Sequence, residues 1–225
     1  MIKGILFDYD GTLSDRVTSA YRMYRWMVSE ILPDMYHDSV DFELIVQRCM
    51  LWDEFGTIRK EHVLEMLKKN YAPDLDVPAW KEKWYTEFHR FQVAMPNSHE
   101  VIQKLKEKYR LGIVTNGEAR SQSIKVDKLD MRKYFQTVIV SGAFGKDKPD
   151  VSIYQQAAKD LGLECNEIAF IGDTFSTDIA GALKAGMLPI WYCNEHRGVS
   201  NLDVKQVSSY QELEDIFLNH TEWNQ

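Results

Sequence analysis

Cysteine is scarce in this 225-residue chain, and what little there is excludes two kinds of protein. Cys49, Cys165 and Cys193 are odd in number, far apart and without a Cys-x-x-Cys pair, so neither a disulfide framework nor a thiolate zinc cage is indicated. A reducing cytoplasm fits that usage. Long apolar runs are missing too: none approaches the roughly 20 residues that cross a bilayer. The opening Met1-Ile2-Lys3-Gly4-Ile5-Leu6-Phe7 turns acidic at Asp8, too soon for the apolar stretch of a secretory leader. A cytoplasmic protein without membrane contact is therefore expected. Positive charge is in deficit, with 27 Lys and Arg against 34 Asp and Glu and a net charge of −7. That balance argues against a sequence-independent grip on polymeric nucleic acid. A small anionic partner would need a locally positive pocket. There is no internal repeat and no low-complexity tract.

What is present is an ordinary globular composition, 44% hydrophobic and 27% charged, able to bury roughly 70% of the unfolded surface. Ile2 to Phe7 is a short apolar run that reads as a buried strand. Leu111 to Thr115, Thr137 to Ser141, Ile168 to Gly172 and Pro189 to Cys193 read alike. Between them the spacing becomes helical: Val101, Ile102, Leu105 and Tyr109, then Ile153, Tyr154, Ala157, Ala158 and Leu161. Alternating strands and helices predict an α/β fold, a Rossmann-like three-layer core with a mostly parallel sheet whose ligands bind beyond the strands' carboxyl ends. Residues 16–95 break this rhythm with helical periodicity and no convincing strand. They hold 13 of the 27 aromatic residues, most simply as the core of a small helical unit. Two domains are expected: a core from residues 1–15 and 96–225, and a helical cap from residues 16–95.

The strand ends carry the chemistry. Phe7-Asp8-Tyr9-Asp10-Gly11-Thr12 follows the first strand, and side chains two apart in an extended segment point the same way, so Asp8 and Asp10 can converge. Neighbouring carboxylates repel, and an oxygen-rich pair of this kind calls for a cation such as Mg²⁺; an acidic Asp-Gly turn is the plainer alternative. The second strand ends in Thr115-Asn116-Gly117, able to hold phosphate oxygens or simply to cap a helix. After the third come Lys146 and Lys148, the latter followed by Pro149, which favours extended geometry at Lys148 and could aim its charge inward. The fourth ends in Gly172-Asp173-Thr174-Phe175-Ser176-Thr177-Asp178. Asp173 could reach the same cation as Asp8 and Asp10, while Asp178 is better placed to orient a ligand or the lysine.

Four strand ends in this order, carrying Asp-x-Asp, Thr-Asn-Gly, Lys-Pro and Gly-Asp-x₄-Asp, resemble the haloacid dehalogenase-like superfamily of hydrolases. The resemblance covers Met1 to about Asp15 and about Met95 to Cys193, and the helical segment is placed like that superfamily's inserted cap. It implies a phosphatase in which Asp8 is the nucleophile and forms an aspartyl-phosphate. Asp10 would be general acid and then general base. Mg²⁺ would be held by the carboxylates of Asp8 and Asp173 and the backbone carbonyl of Asp10. Thr115 and the N–H of Asn116 would hold the phosphoryl group, Lys148 would neutralise its charge, and Asp178 would support from behind.

Dehalogenation is disfavoured because those enzymes lack the second aspartate of the first motif. A phosphomutase stays open, as does a phosphoglycolate-type phosphatase. A receiver-like phospho-acceptor switch uses similar residues but needs neither Asp10 nor a helical insertion. The Thr-Asn-Gly and Gly-Asp-x₄-Asp spacings look more like the branch with pyrimidine nucleotidases and acylneuraminate 9-phosphatases, so a nucleoside monophosphate or sugar phosphate is the expected small phosphorylated metabolite. Trp26 or Trp52 could stack on a base, and Arg22, Arg25 and Arg48 could meet a second anion, although core packing and solvent exposure are their simpler roles. No pattern gives His37, His62, His89, His99, His196 or His220 a metal role. The cap, joined near residues 15–18 and 92–96, is expected to close over substrate.

Overall fold

The structure, a computed structural model, describes residues 1–193 and 198–219. His196 and His220 lie outside the described residues. The chain divides into two compact units, one of residues Met1–Asp15 and Ala94–Gln225, the other of Arg16–Val93.

The larger unit is built on a six-stranded sheet: β1 (Gly4–Phe7), β2 (Arg110–Thr115), β3 (Thr137–Val140), β4 (Ile168–Gly172), β5 (Leu188–Tyr192) and β6 (Lys205–Val207). Every neighbouring pair is parallel, and the order is β3-β2-β1-β4-β5-β6. Such a sheet is buried on both faces, which is why β1 and β4 read as unbroken apolar runs. The chain builds outward through β2 and β3, then returns to place β4 on the other side of β1. A crevice consequently opens at the carboxyl ends of β1 and β4, where the winding reverses. The short edge strand β6 has no counterpart among the sequence expectations. Three residues with Val207 alone fully buried are too few to show a period.

Four helices form the smaller unit: α1 (Arg16–Ile31), α2 (Val40–Asp53), α3 (Lys60–Asn70) and α4 (Val77–Glu87). Ser39 and Asp76 cap α2 and α4 by accepting from the N–H groups of Phe42 and Ala79. Met23, Tyr24, Met27, Phe42, Val46, Leu64, Trp84 and Phe88 are among the side chains that close its core. Trp26 packs in the same aromatic layer, with ring centroids 5.9 Å from Trp80 and 5.6 Å from Phe91. One ionic cluster is buried here. Asp53 accepts from Arg16 Nη2 at 2.8 Å, from the Tyr24 hydroxyl at 2.7 Å and from Lys60.

The larger unit's helices are α5 (Ser98–Lys106), α6 (Ala119–Lys128), α7 (Ser141–Phe144), α8 (Val151–Leu161), α9 (Ala180–Ala185) and α10 (Tyr210–Glu214). Alternate β1 side chains face opposite layers. Ile5 and Phe7 pack with Val101, Ile102 and Leu105 of α5 and with Leu213 of α10. Leu6 packs with Ile153, Tyr154, Ala157 and Leu161 of α8 and with Ala182 of α9. Helices on both faces of a parallel sheet give the expected three-layer α/β architecture. Among the described residues no helix is long and apolar enough to cross a membrane.

Removing one partner from a buried ion cluster leaves charge without compensation. Asp53→Ala is expected to lower stability by about 3–5 kcal/mol, measured by urea denaturation; a change within experimental error would show that the cluster contributes nothing.

Candidate active site

The site is assembled from the loops that leave β1, β2, β3 and β4. Asp8 follows β1, and its N–H donates to the carbonyl of Ile171 in β4 at 2.8 Å, so the two strands remain in register up to the first carboxylate. The next residues curl back on themselves: the N–H groups of Leu13 and Ser14 both donate to the carbonyl of Tyr9. Gly11 lies at a φ of +89°, and a Cβ on it would sit 2.4 Å from Asp173 Oδ2. A side chain there would strain the turn and displace the carboxylate.

Lys148 is the hub. Its Nζ donates to Asp8 Oδ1 at 2.6 Å and to Asp178 Oδ1 at 2.7 Å, with 2% of its side chain exposed. Burial alone would lower its pKa, but the carboxylates of Asp178 and Asp8 outweigh it and raise the value. Its main chain is clamped by Asn116, whose Oδ1 accepts from the Lys148 N–H at 2.8 Å and whose Nδ2 donates to the Lys148 carbonyl at 3.1 Å. The Asn116 side chain thus fixes the lysine, a use that sequence reasoning did not give it. Lys146 points elsewhere, toward Asp150.

Asp178 occupies a single turn of π-helix, Phe175–Ile179, and its Oδ2 accepts from the N–H of Thr174 at 3.0 Å. Both of its oxygens therefore already hold protein hydrogen bonds. Asp173 is steadied through its main chain, where the indole Nε1 of Trp191 donates to its carbonyl at 2.7 Å.

Asp8, Asp173 and Asp178 each offer an oxygen, all within 4.8 Å of one another. Such crowding is costly. Burial, with Asp178 adding to it and Lys148 opposing, pushes the Asp8 carboxyl up to about 7. Burial and the charges of Asp8 and Asp178 carry Asp173 well above the ordinary carboxylate range. Asp173 Oδ1 is buried without a hydrogen-bond partner. An orphaned carboxylate oxygen beside a second buried carboxylate is the donor set of a hard divalent cation, and the residues present fit one.

At the end of β2, Thr115 is buried, and its Oγ1 accepts from Gln122 Nε2 at 2.7 Å. Gln122 and Lys125 of α6 also reach Asp10 Oδ2. Neither was singled out from the sequence, where a glutamine and a lysine three apart in a polar helix look like any solvated pair. In the helical unit, a cavity of about 400 Å³ is lined by residues including Arg16, Met50, Asp53 and Phe55. Arg25 pairs with Asp38, Arg22 and Arg48 are exposed, and Trp52 is half-buried against the helical core.

The model of a family described as haloacid dehalogenase-like hydrolase matches residues 5–191. A glyceraldehyde 3-phosphate phosphatase from Pyrococcus abyssi is 31% identical, the match covering 85% of this chain and 82% of that protein. The pyrimidine 5'-nucleotidase YjjG of Escherichia coli strain K12 is 25% identical over 96% of this chain and 98% of its own. In fold, the chain is similar to the HAD-hydrolase YfnB of Bacillus subtilis bound to magnesium, with a TM-score of 0.78 at 20% identity, covering 96% of this chain and 99% of that one.

A raised folded-state pKa means that the folded protein binds a proton the unfolded chain releases. For Asp8, ordinarily 3.8 and here about 7, the stability so gained is present below pH 3.8 and lost as pH rises through 7. Mg²⁺ is therefore expected to raise Tm more at pH 8 than at pH 5.5, read by differential scanning fluorimetry. No shift at either pH would remove the cation site.

Proposed function

Because the chain belongs to the haloacid dehalogenase-like hydrolases, as the match over residues 5–191 shows, we propose that it is a Mg²⁺-dependent phosphatase of a small phosphate monoester. The observation that carries this reading is the Lys148 ammonium shared by Asp8 and Asp178 beside Asp173. The proposed nucleophile, a carboxylate pair suited to a cation and a fixed positive charge meet at the carboxyl end of the sheet, which is what phosphoryl transfer asks of a protein.

Asp8 is the proposed nucleophile. Its carboxylate oxygen bonds to phosphorus while the bond from phosphorus to the leaving oxygen breaks, giving an aspartyl-phosphate. Lys148 favours the ionised form that this attack needs. Asp10 gives its proton to the leaving oxygen, then takes one from the water that attacks phosphorus and releases Asp8. Thr115 and the Asn116 N–H hold phosphoryl oxygens. Asp8, Asp173 and the Asp10 carbonyl would hold Mg²⁺, which would supply charge neutralisation at the phosphoryl group. Asp178 holds Lys148 in place.

The substrate we propose is a sugar phosphate, of which a triose phosphate is the smallest case, or a nucleoside monophosphate. Both follow the names of the relatives above. The helical unit, residues 16–95, is the proposed cap, and a cytoplasmic setting suits such metabolites.

A screen of phosphate release over sugar phosphates, nucleotides and phosphoglycolate, with and without Mg²⁺, tests this directly. Asp8→Asn preserves shape and a hydrogen bond to Lys148 but not the nucleophile, so turnover should fall on the order of 10³-fold or more while circular dichroism is unchanged. Wild-type turnover by that variant would falsify the assignment.

A further inference from the structure

We infer that Gln122 and Lys125 are positioning residues for Asp10: together they grip its carboxylate by Oδ2, so that the transferred proton travels on Oδ1. This rests on the phosphatase reading above and adds to it. Gln122 is 3% exposed, and its Nε2 lies 3.1 Å from Asp10 Oδ2, 2.7 Å from Thr115 Oγ1 and 3.0 Å from the Asn116 carbonyl. A carboxylate and a backbone carbonyl accept hydrogen bonds, so the amide nitrogen and not its oxygen must face them. Two N–H hydrogens serve three acceptors, and one is shared.

Lys125 Nζ donates to the same Asp10 oxygen, with 6% of its side chain exposed. Its carbonyl accepts from the Tyr9 hydroxyl at 2.7 Å, which ties this turn of α6 to the Asp-x-Asp loop itself. Residues three apart share a helix face, so α6 presents both donors together. A buried ammonium is costly unless paired, and Asp10 supplies the pairing.

The chemistry follows from donors meeting on one oxygen. Neither the ammonium nor the amide leaves room for an O–H on Oδ2, so a proton on Asp10 resides on Oδ1. As the phosphorus–oxygen bond breaks, its electron pair goes to the leaving oxygen, which takes that proton. The carboxylate charge left behind develops beside Lys125. In the second half the attacking water returns a proton to the same oxygen as its bond to phosphorus forms and the Asp8 bond breaks. Gln122 adds a second constraint. It also donates to Thr115 Oγ1, whose own hydroxyl donates to the Asn116 carbonyl at 3.4 Å, so a single amide holds both the acid and the threonine proposed to meet the phosphoryl group.

A positioning role for a general acid has a signature that a merely structural role does not. The acid matters for an alkoxide leaving group and little for p-nitrophenolate, which departs as a stable anion. Lys125→Met and Gln122→Met should therefore lower kcat/KM about 10- to 100-fold or more for glycerol phosphate and less than about threefold for p-nitrophenyl phosphate. This ratio reports the transfer to Asp8, before the second half of the reaction enters. Lys125→Arg, keeping a donor and its charge, should recover part of the loss. Equal losses on the two substrates, or none, overturn the inference, and if Lys125→Met does not fold, Gln122→Met decides the matter alone. A wild-type protein that releases phosphate from neither substrate overturns the phosphatase reading and this inference with it. An active wild type with evenly impaired variants overturns the inference alone.

Discussion

The organising constraint is electrostatic: three carboxylates, those of Asp8, Asp173 and Asp178, crowd the ends of β1 and β4, and one ammonium, that of Lys148, holds two of them. An ammonium between two carboxylates in a buried setting is held ionised, because losing its proton would leave both anions uncompensated. The rest of the site can be understood as what keeps that ammonium in place. Asn116 clamps its main chain, the π turn carries Asp178 to it, and Gly11 leaves room for Asp173. Changing any of these moves a charge within a pocket where charges are weakly screened.

The fold supplies the meeting point for a topological reason. With β1 central and β2 and β4 on either side, the winding reverses between β1 and β4, which opens the crevice at their carboxyl ends. Asp8 leaves β1 with its N–H still bonded to β4, so the position of the first carboxylate is inherited from the sheet and not set by a flexible loop. Asp10 is different. It sits two residues into a turn, where the sheet no longer fixes it, and it is there that α6 intervenes through Gln122 and Lys125. Rigid elements hold the proposed nucleophile directly and the proposed acid by proxy.

This difference also explains what could be read from the residues. Strands β1 to β5 were legible because a doubly covered parallel sheet needs unbroken apolar runs, and the acidic, hydroxyl and basic residues at their ends stand out against those runs. The edge strand β6 was not, since Lys205 and Gln206 leave no apolar pattern. Asp173 could be paired with Asp8 because each directly follows a strand, and Asp178 with the lysine. Gln122 and Lys125 could not be paired with Asp10, because their contact depends on which face α6 turns to the loop, and the polar sequence around them gives no apolar stripe to fix that face. The side-chain role of Asn116 was hidden for a related reason: its partners are backbone atoms, which every residue carries.

Charge counting joins these observations to the net charge of −7, which describes the chain's surface better than its site. Asp8, Asp10, Asp173 and Asp178 face Lys125 and Lys148, leaving two negative charges unbalanced when all are ionised. That is the charge of one divalent cation, and the buried oxygen of Asp173 without a hydrogen-bond partner lies in this same group. Were the site meant to work without a cation, a third basic side chain in place of Asp173 would balance it more cheaply. Retaining the carboxylate fits an ion that can neutralise the pocket and still offer charge to a phosphate. An arriving phosphoryl group would then meet Lys148 and that ion before any uncompensated carboxylate, so an acidic protein and an anionic substrate are compatible.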